Sequence, residues 1–259
     1  MLIAVLVKPV PDAAGGSRLL PDFRLDRSGV EPTINPNDAH AIEAAVRLVE
    51  SRDEGEVVLV SMAPLEALEP LRRGLAIGAS RGVLVVADSL AGACTLTTAR
   101  VLAATIERLD PDYVLAGADS ADARAGLVPS TIAGLGARLC VTMAADLALD
   151  ADGLTVHRPG PGGDERIAVP QRSVVSVTQA VGQPRYPSLR AQIAAKTKPI
   201  DVWSTFDIGI DDAVATYRST SVQAVRAGRR RNEPIVVSGP PTETARVLLD
   251  FLQERGFGL

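Results

Sequence analysis

Four short apolar runs, each followed by a stretch that ends or spaces like a helix, leave this chain few folds to adopt. The runs are Leu2 to Val7, Val57 to Val60, Val83 to Val86 and Tyr113 to Ala116. Each reads as a buried strand. After the first comes an irregular stretch and then a sharp helix start. Asn35 stands at an N-cap position, Pro36 at the first helical position and Asp38 in the first turn, where a negative charge suits the helix dipole. Ile42, Ala45, Val46 and Val49 continue with helical spacing. Strands alternating with helices through short connections indicate a parallel sheet wound with helices on its faces.

The remaining elements follow the same logic. Leu65 to Ile77 has helical spacing, with Pro70 expected to kink it or delay its start and Gly78 to stop it. Thr95 to Leu109 is a third helix. Residues 12–34, with Gly15, Gly16 and Gly29, read as irregular, with a short hairpin about Arg27-Ser28-Gly29. Beyond residue 146 the pattern changes. Leu147 to Ala151, Leu154 to Arg158 and Arg166 to Val169 are extended segments separated by turns at Asp152-Gly153 and Pro159 to Gly163, so β-hairpins are expected, with Val174 to Val177 returning to the main sheet. Residues 1–183 are expected to form the α/β domain. Residues 184–259 carry Pro184, Pro187, Pro199, a basic run from Arg226 to Arg231 and a closing amphipathic helix, and read as an arm that packs on something else.

The stretch from Asp112 to Gly136 is the expected ligand site. A strand opens through the small, polar and acidic loop Gly117 to Ala125 into a helix from Ser130 to Leu135. Loops at the carboxyl ends of strands in open α/β sheets, followed by free N–H groups at a helix start, suit an anionic ligand. Shape alone does not separate such a site from an ordinary connection.

Composition removes several classes of function. A formal charge of −4 and 3% aromatic residues argue against a nucleic-acid binder. Two histidines, His40 and His157, exclude a histidine-rich metal site, and no metal is expected. Cys94 and Cys140 offer no paired spacing, which suits a reducing, cytoplasmic compartment. No apolar segment approaches the ~20 residues of a membrane span, and the opening apolar run reads as a strand, not a leader. Gly78-Ala-Ser-Arg-Gly82 matches a nucleophile elbow but lies between helix and strand in the wrong order. Gly134-Leu-Gly136 ends a helix where a dinucleotide fingerprint would open one. Asp119 and Asp122 are a possible acid/base pair, although aspartates in exposed loops more often cap and turn. His40 reads as a helix-surface residue. No set of groups assembles a nucleophile, a base and an oxyanion site, so independent catalysis is not expected.

Several stretches resemble the β subunit of electron transfer flavoproteins, a family that includes the FixA proteins. Leu6-Val-Lys-Pro-Val-Pro-Asp12 is similar to its opening strand and loop, and Ile34-Asn-Pro-Asn-Asp-Ala-His40 with the helix to Leu48 is close to its Asn-Pro helix start. Gly74 to Gly82 resembles its Ala-x-Gly-Ala-Asp-Arg segment. Pro184-Arg-Tyr-Pro-Ser-Leu189 and Ile193 to Ile200 resemble its signature loop. The resemblance covers essentially the whole chain. It implies a Rossmann-like, doubly wound sheet of the adenine-nucleotide alpha-hydrolase type with β-hairpin additions and an extended C-terminal arm. It also implies a heterodimer with an α subunit that carries redox-active FAD, and an AMP, or in bifurcating members a second FAD, in this chain's own pocket. Electrons would come from a dedicated dehydrogenase and leave towards the quinone pool through an electron transfer flavoprotein–quinone oxidoreductase. Carried over position by position, the nucleotide pocket would use Leu6, Asn35, Pro36, Asn37, Asp38, Met62, Gly117, Ala118, Asp119, Ser120, Asp122, Ala123, Arg124, Ala125, Gly126, Leu127 and Val128. The docking loop would present Leu189 as its anchor, with Tyr186 and Ile193 beside it.

The chain departs from the family's pattern where a phosphate would sit. Asp119 replaces a usual Gln, Asp-x-Asp becomes Asp122-Ala-Arg124, and Gly126-Leu-Val128 is followed by Pro129, which has no N–H. Arg124, Ser130 and Thr131 are the candidates to restore the contact. The rival readings are a stand-alone adenine-nucleotide-binding regulator and a hydrolase acting through Asp119 and Asp122.

Overall fold

A computed structural model describes residues 1–12, 18–150, 153–226 and 234–258. In chain order the strands and helices are β1 (Leu2–Leu6), β2 (Pro9–Pro11), β3 (Pro32–Ile34), α1 (Pro36–Glu50), β4 (Glu56–Met62), α2 (Leu68–Ile77), β5 (Arg81–Val85), α3 (Thr95–Leu109), β6 (Tyr113–Gly117) and α4 (Val128–Leu135). There follow β7 (Cys140–Ala144), β8 (Asp146–Asp150), β9 (Gly153–Gly160), β10 (Gly163–Val169), β11 (Ser173–Val177), α5 (Leu189–Ala195), β12 (Ile200–Trp203), α6 (Asp212–Thr216) and α7 (Pro241–Glu254).

Seven strands form one parallel sheet in the order β12-β5-β4-β1-β6-β11-β7. Both faces are covered, which is why its central strands read as unbroken apolar runs and not as alternating ones. On β1, Ile3 and Val5 join the core under α1 and α2, while Ala4 and Leu6 join the one under α3 and α4. The expected hairpins form a separate three-stranded antiparallel sheet, β10-β9-β8, and β11 returns beside β6 as expected.

Several local expectations are corrected. The antiparallel pairing near the N-terminus is β2 with β3, bracketing the 12–31 excursion, and Ser28-Gly29 is a turn within that excursion and not a hairpin tip. Gly15, Gly16 and Asp152 lie outside the described residues, as do Arg229 to Arg231 of the basic run. The sheet has two strands that periodicity did not reveal. β7 is an edge strand with a broken burial pattern, and β12 is four residues long and adds to β5 directly after Pro199. Pro70 loses its oddity here, because α2 begins only at Leu68 after a single 3-10 turn. Pro70 therefore falls in the first helical turn, where no intrahelical N–H bond is required.

The chain divides into two compact units, 1–223 and 224–259, so residues 184–223 belong with the sheet and the division does not fall at 184. In the second unit, α7 carries the expected amphipathic pattern, but none of its residues is buried.

Candidate functional site

The crevice is built where β1, β6 and α1 meet, and its chemistry is that of buried polar groups with partners. Asn35 occupies the N-cap position of α1, and its backbone oxygen accepts from the amides of Asp38 and Ala39. Its side chain does not cap the helix. Instead Nδ2 donates to Asp38 Oδ1 at 2.9 Å and to the Asp119 carbonyl at 2.8 Å, and Oδ1 accepts from the Ala121 amide at 2.9 Å. One asparagine thus pins the strand-end loop to the helix start. Asn37 adds a second tie, donating from Nδ2 to Asp119 Oδ1 at 2.6 Å.

Asp38 lies beneath this knot. Its carboxylate accepts from the Lys8 amide at 2.7 Å, from Asn35 and from the Gly117 amide. Burial pushes its carboxyl up to about 7, against these three N–H donors, which favour the ionised form. Gly117 is obligatory here: a Cβ would stand 2.5 Å from Asp38 Oδ1 and 2.8 Å from the Asn37 carbonyl carbon.

Above the knot, Asp122 bridges two cations. Oδ1 accepts from Lys8 Nζ at 2.7 Å and Oδ2 from Arg27 Nη2, while Lys8 Nζ also reaches Ser120 Oγ at 3.1 Å. The Asp122 side chain is 5% exposed. Its burial favours the neutral acid, but Lys8 and the neighbouring donors win and hold the carboxyl below its usual value. A carboxylate held ionised by two cations is not poised for proton transfer, and Asp119 is engaged with Asn37. The acid/base pair considered from sequence is thus a set of structural ties.

Beside this network opens a cleft of about 550 Å³ at the carboxyl ends of β6, β11 and β7. Of the expected residues, Asn37, Ala118, Asp119, Arg124 and Gly126 line it. Leu6 is a core residue at the end of β1, Met62 is half-buried at the end of β4, Asn35 and Asp38 support the loop from beneath, and Asp122, within the loop, ties it to Lys8 and Arg27. Pro36 stands at the first position of α1, and Ala123, Ala125 and Leu127 are exposed on the loop. The Arg124 guanidinium has no ion pair among the described residues. The hydroxyls of Ser130 and Thr131, the other candidates for a phosphate, both donate to the Leu127 carbonyl. Arg124 and Met143, both at the cleft, hold left-handed backbone with φ 49° and 62°. Non-glycine residues in that region are uncommon and cluster at functional sites.

Sequence reading missed six of the eleven lining residues. Thr142, Met143, Ser176, Thr178, Gln179 and Ala180 come from β7 and β11 and the turn after β11. The last three directly follow a parallel strand, so the rule that ligands sit at carboxyl ends would have found them. For Thr142 and Met143 no signal existed while β7 itself was unseen.

None of residues 184–200, the segment that resembles the family's signature loop, lines the cleft. Ser188 caps α5 by accepting from the Ala191 amide at 3.2 Å. Tyr186, Leu189 and Ile193 are 94%, 72% and 59% exposed. His40, expected on the helix surface, is buried, and its Nδ1 meets the Gly182 carbonyl at 2.6 Å. Ser80 of the rejected elbow accepts from the Val57 amide at 3.3 Å.

A wound parallel sheet with its cleft at the carboxyl strand ends places the chain among the Rossmann-like α/β folds. Residues 22–207 match the electron transfer flavoprotein domain. The chain is 32% identical over 228 residues to the CarD subunit of the caffeyl-CoA reductase–Etf complex of Acetobacterium woodii, covering 88% of this chain and 87% of that one. It is 28% identical to the electron transfer flavoprotein subunit beta of Clostridium acetobutylicum, over 99% and 100% of the two chains. With the Bradyrhizobium diazoefficiens subunit it shares 32% over 82% and 84%. The chain belongs to the electron transfer flavoprotein β-subunit family. Among the described residues, no helix is long and apolar enough to cross a membrane.

Proposed function

We propose that this chain pairs with an FAD-carrying α subunit and relays electrons from a dedicated dehydrogenase towards the quinone pool, without catalysis of its own, in the cytoplasm. The observation that carries the reading is the exposed apolar trio Tyr186, Leu189 and Ile193 on an ordered segment of a family member. Exposed large apolar groups gathered on one short element mark a contact surface. The unburied apolar face of α7 supports a second contact, with the α subunit. The flavin supplies the redox chemistry when bound, and the chain's part is to bind, orient and dock.

For a second nucleotide, the residues present fit an anionic group at the cleft. Arg124 brings a positive charge with no ion pair among the described residues, and the small residues Ala118 and Gly126 leave room beside it. We assign AMP to this cleft. A second FAD is the alternative; the cleft's volume of about 550 Å³ lies in the usual range for ligand sites, roughly 300–1,000 Å³, and does not choose between the two. Co-purification with the α subunit followed by acid extraction tests both. One FAD and one AMP per heterodimer is the expected result, and two FAD would select the alternative. A stable monomer without flavin would overturn the proposal.

A further inference from the structure

Two of the exposed trio, Leu189 and Ile193, stand on α5, a helix of only seven residues, and Tyr186 lies three residues before its start. Isolated helices that short are not stable in water, so its order must come from tertiary ties. The structure shows those ties at both ends. At the far end, Arg72 Nη1 donates to the Ala195 carbonyl at 2.9 Å and to that of Lys198. Lys198 Nζ in turn donates to the carbonyls of Leu75 and Ala79, at 2.9 and 2.6 Å, where α2 ends. At the near end is Arg185, one residue before Tyr186. Its guanidinium takes two carboxylates of α1 at once: Nε and Nη2 reach Glu43 at 2.8 and 3.1 Å, and Nη1 and Nη2 reach Glu50 at 2.7 and 2.8 Å. Its backbone amide adds a bond to Glu43 Oε2 at 3.0 Å. Glu43 is buried, so it needs this partner as much as the loop does. His40, one turn earlier on α1, holds Gly182.

We propose that Arg185 is the positioning residue of the docking segment, clamping it to α1 so that Tyr186, Leu189 and Ile193 meet the dehydrogenase already ordered. This rests on the docking role of that trio. A lysine replaces the arginine only in part, because a point charge does not span two carboxylates in a planar fork. Pre-ordering removes an entropic cost from association and leaves the electron-transfer step untouched.

The test uses the FAD-loaded heterodimer carrying Arg185→Ala, Arg185→Lys or Leu189→Ala. Hydrogen exchange over residues 186–195 and steady-state KM and kcat with the partner dehydrogenase are measured for each. Loss of the clamp should speed exchange across the segment and raise KM about tenfold, with kcat and FAD content unchanged. Arg185→Lys should fall between wild type and Arg185→Ala. Because Arg185→Ala leaves Glu43 buried without its cation, Arg185→Ala with Glu43→Gln keeps the test open if the single variant fails to fold. A folded Arg185 variant with wild-type KM, while Leu189→Ala raises KM, would overturn the clamp and leave the docking role standing. If Leu189→Ala also leaves KM unchanged, the docking role itself falls, and the clamp with it.

Discussion

The crevice and the proposed docking segment invert one another. At the crevice, polar groups are buried and spend their bonds on each other: Asn35, Asp38 and Asp122 hold a loop whose outer rim is left to face a cleft. On the docking segment, apolar groups are exposed and polar groups anchor them from below. Ligand loops need backbone in a fixed, partly left-handed course, which only dense hydrogen bonding supplies. Docking surfaces need apolar area kept in water without collapse, which requires anchors outside the patch. Damage to the crevice should therefore appear as lost stability, and damage to the docking segment as lost affinity.

The largest effect should come from Gly117→Ala. Its Cβ would meet Asn37 backbone and the buried Asp38 carboxylate, and a loss of about 3 kcal/mol or more is expected in urea unfolding. Asp38→Ala should cost a similar amount, about 3 kcal/mol, by stranding three N–H donors. Equal stability in either variant would break the comparison at its buried end. Asp38 also sets a pH dependence. Its carboxyl is raised from 3.8 to about 7 in the folded protein, so its contribution is full below 3.8 and declines as pH rises through 7. Unfolding free energies measured at pH 5 and pH 8 should differ less in Asp38→Asn than in wild type.

Leu189→Ala should weaken the dehydrogenase complex by about 2 kcal/mol, read by titration calorimetry, while the unfolding midpoint of the chain stays within error. A lowered midpoint would mean the residue belongs to the core economy of the fold and not to a surface. The smallest effect is expected for Asp122→Ala. Its cations Lys8 and Arg27 are 41% and 48% exposed at their side chains, so water compensates, and a loss of about 1 kcal/mol is expected. That contribution is present above the ordinary carboxylate range and is lost as pH falls through the lowered folded value. The Asp122→Ala loss measured at pH 7 should therefore shrink in the acid range, where the wild-type carboxylate is neutralised and loses its ion pairs too.

Much of the crevice was legible because short-range rules acted there. Asn35-Pro36 announced a helix start, Tyr113 to Ala116 a strand, and the loop's small residues a close approach. What Asn35 does with its side chain was not legible. Capping α1 and tying down Asp119 and Ala121 use the same amide, and only the loop's arrival, more than eighty residues later, decides between them. His40 was misjudged for the same reason: its surface is covered by Gly182, from a segment 142 residues away.

Two helices mark the boundary between what each level decides. α1 and α7 have 15 and 14 residues and both carry an apolar stripe. α1 buries nine residues and α7 none. By itself, the sequence determined the helices packed on the sheet, the central strands and their parallel winding, because periodicity, capping and proline act within a few residues. Tertiary structure alone decided the edge strands β7 and β12, the Thr142–Ala180 wall of the cleft and the Arg185 clamp. Each of these depends on which distant surface arrives to cover or to pair, and a residue's own neighbours in sequence carry no record of that.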